Sequence, residues 1–349
     1  MSESKVEVKR SPISRPLRIL SGVQPSGKLH LGNYFGAIKQ HIDMQNRGEA
    51  FYFIADYHAL TTIRETAKRL SDETKKPVNA ADLLRDYTHD VALDYLALGL
   101  DPNSAIFFRQ SDVPEVTELA WILGTVTNMG LLERAVSYKD KTDKGIEASI
   151  GLFTYPVLMA ADILIYRSHV VPVGQDQVQH LEMTRDIAER FNRVFGEVFP
   201  IPDAHLGLEA KVPGIDGQKM SKSYNNTIEI FAEGKPLQKT VMSIVTDSTP
   251  MGQPLNPDTC NVFALFSLFA TDAEKEIIAS KYRDGSIGFG DAKKALLAKI
   301  EEYFAPARER RKELARDPGY VEEVLQRGAR RAREVAQVTM RVVRKAVGL

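Results

Sequence analysis

The chain has 349 residues, 43% hydrophobic and 26% charged, with 46 basic side chains balanced by 46 acidic ones and a single cysteine. That length suits about two domains of ~100–200 residues, and the composition is that of a globular protein with a sizeable core. One cysteine, Cys260, excludes a disulfide framework and any Cys₄ or Cys₂His₂ zinc site. No uncharged apolar run approaches the ~18 residues of a membrane helix, and the charged start lacks the apolar centre of a signal peptide. The expectation is a cytoplasmic protein without membrane association.

Residues 1–16, with scattered Lys, Arg, Glu, Ser and Pro, read as a disordered lead-in. Leu17 to Leu20 is a short strand entering the Gly/Pro-punctuated loop Ser21 to His30. Phe35, Ile38 and Ile42 predict a helix from Asn33 to Asn46. Phe51 to Ala55 is a strand, Ala80 to Leu98 an amphipathic helix, and Ala105 to Phe108 a third strand. This alternation predicts an α/β fold, a Rossmann-like doubly wound parallel sheet with right-handed crossovers. The next strand, Val170 to Val173, follows two helical stretches, Glu115 to Leu132 and Ser149 to Tyr166, which form a helical insertion over 111–169. Gln177 to Phe195 is a further helix and Val212 to Asn226 a loop. Beyond Ile228 the strand signals stop, and Asn261 to Phe269, Ala292 to Tyr303 and Arg330 to Val347 are helical. The expected division is a catalytic unit over 17–227 and a C-terminal all-helical domain over 228–349.

Two loops carry chemistry. Between the first strand and the first helix lies Ser21-Gly22-Val23-Gln24-Pro25-Ser26-Gly27-Lys28-Leu29-His30-Leu31-Gly32-Asn33. Ligands of open parallel sheets bind at that end of a strand. Gly27 and Gly32 admit close backbone approach, and His30 and Asn33 bring side-chain donors to a helix N-terminus that already favours phosphate. Lys219-Met220-Ser221-Lys222-Ser223, with Gly214 and Gly217 upstream, forms a cationic clamp suited to a triphosphate or a departing pyrophosphate. A third group, Tyr155, Met159 and Asp162, shares one helix face. An aspartate in so apolar a run is costly to bury without a partner. The spacing is equally satisfied by an aspartate that faces solvent or caps a neighbouring element.

His30-Leu31-Gly32-Asn33 and Lys219 to Ser223 resemble the HIGH-type turn and the KMSKS loop of class I aminoacyl-tRNA synthetases. More closely, Gly22 to Gly27 with Gly32-Asn33, Tyr155 to Asp162, and Val171 to Gln177 resemble tryptophanyl-tRNA synthetases, in family order from about Leu20 to Asn226. The resemblance implies a ligase that activates L-tryptophan with ATP to the adenylate plus pyrophosphate. The acyl group then passes to the 3′-terminal adenosine of tRNA-Trp. It implies an ATP site of Gln24, Pro25, Ser26, Gly32, Asn33, Gly174, Gln175, Asp176, Val212, Lys219, Met220, Ser221, Lys222 and Ser223. His30, Asn33, Lys219, Lys222 and Lys141 would act on the reacting phosphates. Asp162, Met159, Tyr155, His58, Val173 and Gln177 would hold tryptophan, with Asp162 accepting the indole N–H. Mg²⁺ would arrive with ATP, and no protein-bound metal is expected.

The family is homodimeric through its helical insertion, where Leu119, Ile122, Val126 and Met129 offer apolar surface. The chain departs from the family pattern at His30 (often threonine), Leu20 (often aromatic), Tyr57 (often glutamine) and over Val212 to Gln218. A tyrosyl enzyme also uses a buried aspartate, but Met-Ala-Ala-Asp and Gly-Gln-Asp-Gln favour tryptophan. A small HxGH adenylyltransferase is opposed by the KMSKS loop and the helical C-terminal third. A non-enzymatic paralogue would require a broken signature. From Pro306 to Leu349 there are twelve Lys/Arg and six Asp/Glu, a net +6. Arg327, Arg330, Arg331, Arg333, Arg341, Arg344 and Lys345, beside an apolar stripe of Val335, Val338, Val342 and Ala346, would then supply phosphate contacts to tRNA.

Overall fold

Strand β1 (Arg18–Val23) lies at the centre of a five-stranded parallel sheet. β2 (Glu49–Ile54) and β3 (Ala105–Arg109) extend it on one side, and β4 (Val170–Val173) and β5 (Asp203–Leu206) on the other. The spatial order is β3-β2-β1-β4-β5. The structure, a computed structural model, describes residues 17–135, 149–173, 178–206, 212–250 and 252–349, apart from the side chains of 173 and 204–206. The lead-in at 1–16 lies outside the described residues.

Strand periodicity sorts the side chains between two cores. Ile19, Ala50, Tyr52, Ile54 and Phe107 face one; Leu20, Phe51, Phe53, Ile106 and Phe108 face the other. A parallel sheet covered on both faces needs this continuous apolar pattern, which is why β1 to β3 read clearly from sequence. Leu20, a departure from the family pattern, is a core residue at 1% exposure. β5 was not expected: four residues containing Asp203 and His205 carry no apolar run, and pairing with β4 makes the strand.

The first helix starts earlier than expected, at Leu31. It runs as an α-helical Leu31–Asn33, a π-helical Tyr34–Ile38 and an α-helical Lys39–Met44, together α1. The wide turns lie directly behind the first signature, a frequent place for them in functional helices. The helix α2 (Ala80–Ala97) follows. In the insertion, α3 (Glu115–Val126) ends before Asn128, so the expected single helix to Leu132 is two. α4 (Ile150–Ile165) is capped by Ser149, whose hydroxyl accepts the Leu152 N–H at 3.2 Å. Leu119 and Ile122 are buried at 0% and 6%, so they belong to the core and are not the surface a partner would meet. Trp121, Met129 and Ile150 are the exposed apolar side chains there, at 78%, 63% and 82%. Among the described residues, no helix is long and apolar enough to cross a membrane.

Two long helices, α5 (Phe289–Leu314) and α6 (Pro318–Val347), close the chain. α5 packs into the same core as one face of the sheet, and Tyr34 and Tyr303 join their hydroxyls at 3.0 Å. α6 returns along β3 and covers this edge strand, a position that otherwise invites pairing with another chain. A Cβ on Gly328 would stand 1.8 Å from the Phe107 carbonyl oxygen, so only glycine allows this approach. The buried stripe is Val321, Leu325, Gly328, Ala332, Ala336, Met340 and Val343. Of the stripe read from sequence, Val335 and Ala346 pack against the core, whereas Val338 and Val342 are 52% and 42% exposed. Close backbone contact selects small residues over Gly328 to Ala336, flanked on either side by larger apolar ones. Arg109 forks onto Glu322 at 2.9 and 2.6 Å, and Arg333 and Arg344 pair with Glu115 and Glu118. Ion pairs at the surface contribute ~0–1 kcal/mol each; these three forked pairs add to the packing around Gly328.

Gly328→Ala is expected to cost about 3 kcal/mol through overpacking, read as a lowered denaturant midpoint. Gly290→Ala, where a Cβ meets nothing within 4 Å, is expected to stay within about 1 kcal/mol of the parent.

Candidate active site

Strand order reverses between β1 and β4, and the carboxyl ends of β1 to β4 open into that crevice. The loop leaving β1 turns at Gly27, whose φ of +102° favours glycine. His30 then caps α1. Its Nδ1 accepts the Asn33 N–H at 3.3 Å, while Asn33 Oδ1 accepts the His30 N–H at 3.1 Å. This reciprocal cap uses one atom of each side chain, so the proton of His30 resides on Nε2. That N–H and the Nδ2 amide of Asn33 are the donors left for a ligand. Burial, and secondarily the charge of Lys222, lower the His30 pKa to about 4, so the imidazole is neutral at pH 7.

The second signature is tied to the first by main chain. The Leu31 N–H donates to the Ile228 carbonyl at 3.0 Å, and the Ile230 N–H to the Leu29 carbonyl at 3.1 Å. The Gly32 N–H points to Met220 Sδ at 3.4 Å. Lys222 Nζ donates to Ser26 O, Ser26 Oγ and Gly27 O at 3.1, 3.2 and 3.0 Å. Burial lowers its pKa to about 8, against the pull of Asp94 and Glu229. Lys219 is exposed, so the two lysines occupy different settings: one seated on the phosphate-type turn, the other free to swing. Buried Asn226 holds the loop: it takes the Ser221 N–H at 2.7 Å and donates to Asp216 and to the Lys219 carbonyl. Val212 accepts the Met220 N–H at 3.0 Å, which brings it to the same loop.

Across the crevice, Asp162 on α4 is 2% exposed, so the buried alternative holds. His58 Nε2 lies 3.0 Å from Asp162 Oδ2, and Gln110 Nε2 is 2.9 Å from each carboxylate oxygen. Burial raises the Asp162 pKa, opposed by the bonds from His58 and Gln110. Tyr155, one helical turn from half-buried Met159, hydrogen-bonds His180 and sets its ring edge-on to His58 with centroids 6.4 Å apart. Gln24 Nε2 reaches Thr62 Oγ1 at 3.2 Å, and Thr61 Oγ1 donates to the His58 carbonyl at 2.8 Å. The nucleotide-type loop and the carboxylate pocket therefore adjoin. Tyr57 contributes its N–H to Asp56 and Gln110.

Lys141, Gly174, Gln175, Asp176 and Gln177, and the side chain of Val173, lie outside the described residues. Gln110, His180 and Asn226 went unread as functional positions because no sequence motif contains them in a chemical role. Gln110 directly follows β3 in Phe-Phe-Arg-Gln-Ser-Asp, and only the sheet brings it to Asp162. Among the described residues, no group of three or more His, Cys, Asp or Glu side chains is arranged to hold a metal ion.

Residues 12–305 match the family of class I tRNA synthetases (W and Y), to which this chain belongs. Among individual relatives, the tryptophan–tRNA ligase of Rhodopirellula baltica is 54% identical over 334 residues, covering 95% of this chain and 100% of the relative. That of Fusobacterium nucleatum is 52% identical, covering 95% and 98%. The crystal structure of tryptophanyl-tRNA synthetase from Campylobacter jejuni, complexed with ADP and tryptophan, is similar with a TM-score of 0.86. It is 46% identical and covers 95% of this chain and 100% of that one.

His30→Ala is expected to remove the reciprocal cap and cost about 1 kcal/mol, read by thermal unfolding, whereas His30→Thr keeps a capping oxygen and most of that stability.

Proposed function

We propose that this protein is a tryptophan–tRNA ligase acting in the cytoplasm. The observation that carries the reading is the buried acceptor Asp162 standing beside a pair of stitched signature loops at the switch point of the sheet. The ionised carboxylate of tryptophan attacks the α-phosphorus of MgATP; a C–O–P linkage forms and pyrophosphate leaves. The 3′-terminal adenosine of tRNA-Trp then attacks the acyl carbonyl, and AMP leaves. No protein nucleophile is needed, so the protein contributes orientation, which can supply ~7–11 kcal/mol, and donors aimed at developing charge.

In this reading Gln24, Pro25, Ser26, Gly32, Val212, Met220, Ser221 and Ser223 surround the nucleotide, with Gly174, Gln175 and Asp176. His30 Nε2–H and Asn33 Nδ2 donate to phosphate, and Lys219, Lys222 and Lys141 stabilise the leaving pyrophosphate. Tyr155, Met159, His58, Val173 and Gln177 enclose tryptophan, whose indole N–H donates to Asp162. A buried acceptor left unpaired by phenylalanine gives discrimination without editing. Helices of residues 228–349 meet the tRNA. Arg333 and Arg344 already pair with glutamates of the insertion, so Arg327, Arg330, Arg331, Arg341 and Lys345 are the side chains of α6 offered to phosphate. A homodimer forms through the insertion, with Trp121 and Met129 as its exposed apolar surface.

Pyrophosphate exchange into ATP, run with each amino acid in turn, is expected with tryptophan alone; exchange with tyrosine in its place, or with none, refutes the assignment. Asp162→Ala removes the acceptor and is expected to erase most of a discrimination against phenylalanine that such a site can raise to ~10⁴–10⁵. Lys222→Ala should slow adenylate formation by ~10²–10³ with little change in the KM for tryptophan. Because burial places the Lys222 pKa at about 8, kcat/KM for ATP should decline as pH rises through that value and the ammonium is lost. Lys222→Arg should abolish the decline.

A further inference from the structure

Gln110 is 1% exposed, and both ends of its amide are hydrogen-bonded. Its amide nitrogen donates to both oxygens of Asp162 at 2.9 Å. Its oxygen accepts the Tyr57 N–H at 3.1 Å and the His58 N–H at 3.4 Å. Those two backbone donors fix which end of the amide faces the carboxylate. The main chain on either side is anchored as well. Arg109 is forked onto Glu322 and bonded to Asp112, while Ser111 gives its N–H and its hydroxyl to Asp56.

The acceptor count on Asp162 is then decisive. A carboxylate offers about four lone-pair sites, two on each oxygen. Among the described residues, Oδ2 receives both His58 Nε2 and Gln110 Nε2, whereas Oδ1 receives Gln110 alone. We propose that Gln110 is a positioning and specificity-determining residue that clamps the Asp162 carboxylate so that one acceptor site, on Oδ1, is left for the indole N–H. This rests on the reading of Asp162 as the indole acceptor. The clamp does two things. It stops the carboxylate from rotating to offer a second site, and it stabilises the ionised form, the only form that accepts at both oxygens. A ring without a donor leaves Oδ1 unpaired, and a carboxyl that has taken up a proton presents a donor to the indole N–H.

Pyrophosphate exchange by Gln110→Met, which keeps the length and removes the amide, tests the proposal. Loss of a hydrogen bond to a charged group predicts a KM for tryptophan raised about 10–100-fold, with kcat within about threefold of the parent. The acid limb of kcat/KM for tryptophan should move to higher pH, because the ionised carboxylate has lost a donor. Gln110→Glu should also raise KM at neutral pH but recover on acidification, as a proton shared between the two carboxyls restores a donor toward Asp162. It gives the readout if the methionine variant does not fold. An unchanged KM and acid limb in Gln110→Met overturns the proposal. So does an equal loss of kcat and kcat/KM with the limb unmoved, the behaviour of a residue that only supports the fold. A parent without tryptophan-dependent exchange, or an Asp162→Ala variant that still rejects phenylalanine, overturns the reading of the pocket instead and is told apart by those two controls.

Discussion

The pairing of residues 29–31 with 228–230 is the contact on which the rest of the molecule depends. Two main-chain hydrogen bonds, from Leu31 to Ile228 and from Ile230 to Leu29, join segments some two hundred residues apart. Through them the first turn of α1 becomes one wall of the second signature loop, and Lys222 is placed on Ser26 and Gly27. The same short bridge continues into the C-terminal helices. Arg308, buried at 4% exposure, gives both Nε and Nη2 to the Ile230 carbonyl at 3.1 and 2.9 Å. A buried guanidinium is costly unless its donors are satisfied, so this arginine fixes where α5 sits relative to the crevice. Arg311, one turn on, reaches Asp90 and Asp94 of α2. Asp94 also attracts the Lys222 ammonium.

On the proposed reading, with nucleotide on one side and indole on the other, the two halves of the crevice solve opposite electrostatic problems. On the phosphate side, positive charge must be available but not permanently neutralised. Lys222 is held by carbonyl and hydroxyl oxygens, weak partners that a triphosphate can outbid, and His30 is kept neutral so that it donates without adding charge. On the indole side, a negative charge must survive in an apolar helix. Asp162 does so only because His58 and Gln110 satisfy three of its acceptor sites. Low dielectric strengthens every bond in such a pocket and equally penalises one left unmade. On that reading, discrimination comes from the cost of an empty acceptor more than from the gain of a filled one.

The parts of this arrangement written in the sequence are those encoded by local pattern. β1, β2 and β3 are apolar on both faces and could be read as strands. The signature loops have residue types and spacings that state their chemistry, and Asp162 stands out against its apolar run. What could not be read is what depends on contact across the fold. β5 exists by pairing with β4. The buried face of α6 is centred on the approach of Gly328 to Phe107, which selects Gly and Ala there and leaves Val338 and Val342 outside it. Leu119 and Ile122 have the same apolar character as an interface would need, and only packing assigns them to the core. Gln110 is an ordinary polar residue at a strand end until the sheet aligns it with α4.

The seat of α6 on β3 also orders events in time. More than two hundred residues separate Phe107 from Gly328, so during synthesis the sheet exists with one unprotected edge long before the helix that covers it has been made. At ~5–20 residues per second that interval is on the order of 10–45 s, far longer than strand pairing itself requires. The nascent chain therefore passes through a stage in which its edge strand Ala105–Arg109, built from Ala-Ile-Phe-Phe-Arg, is open to neighbouring nascent chains.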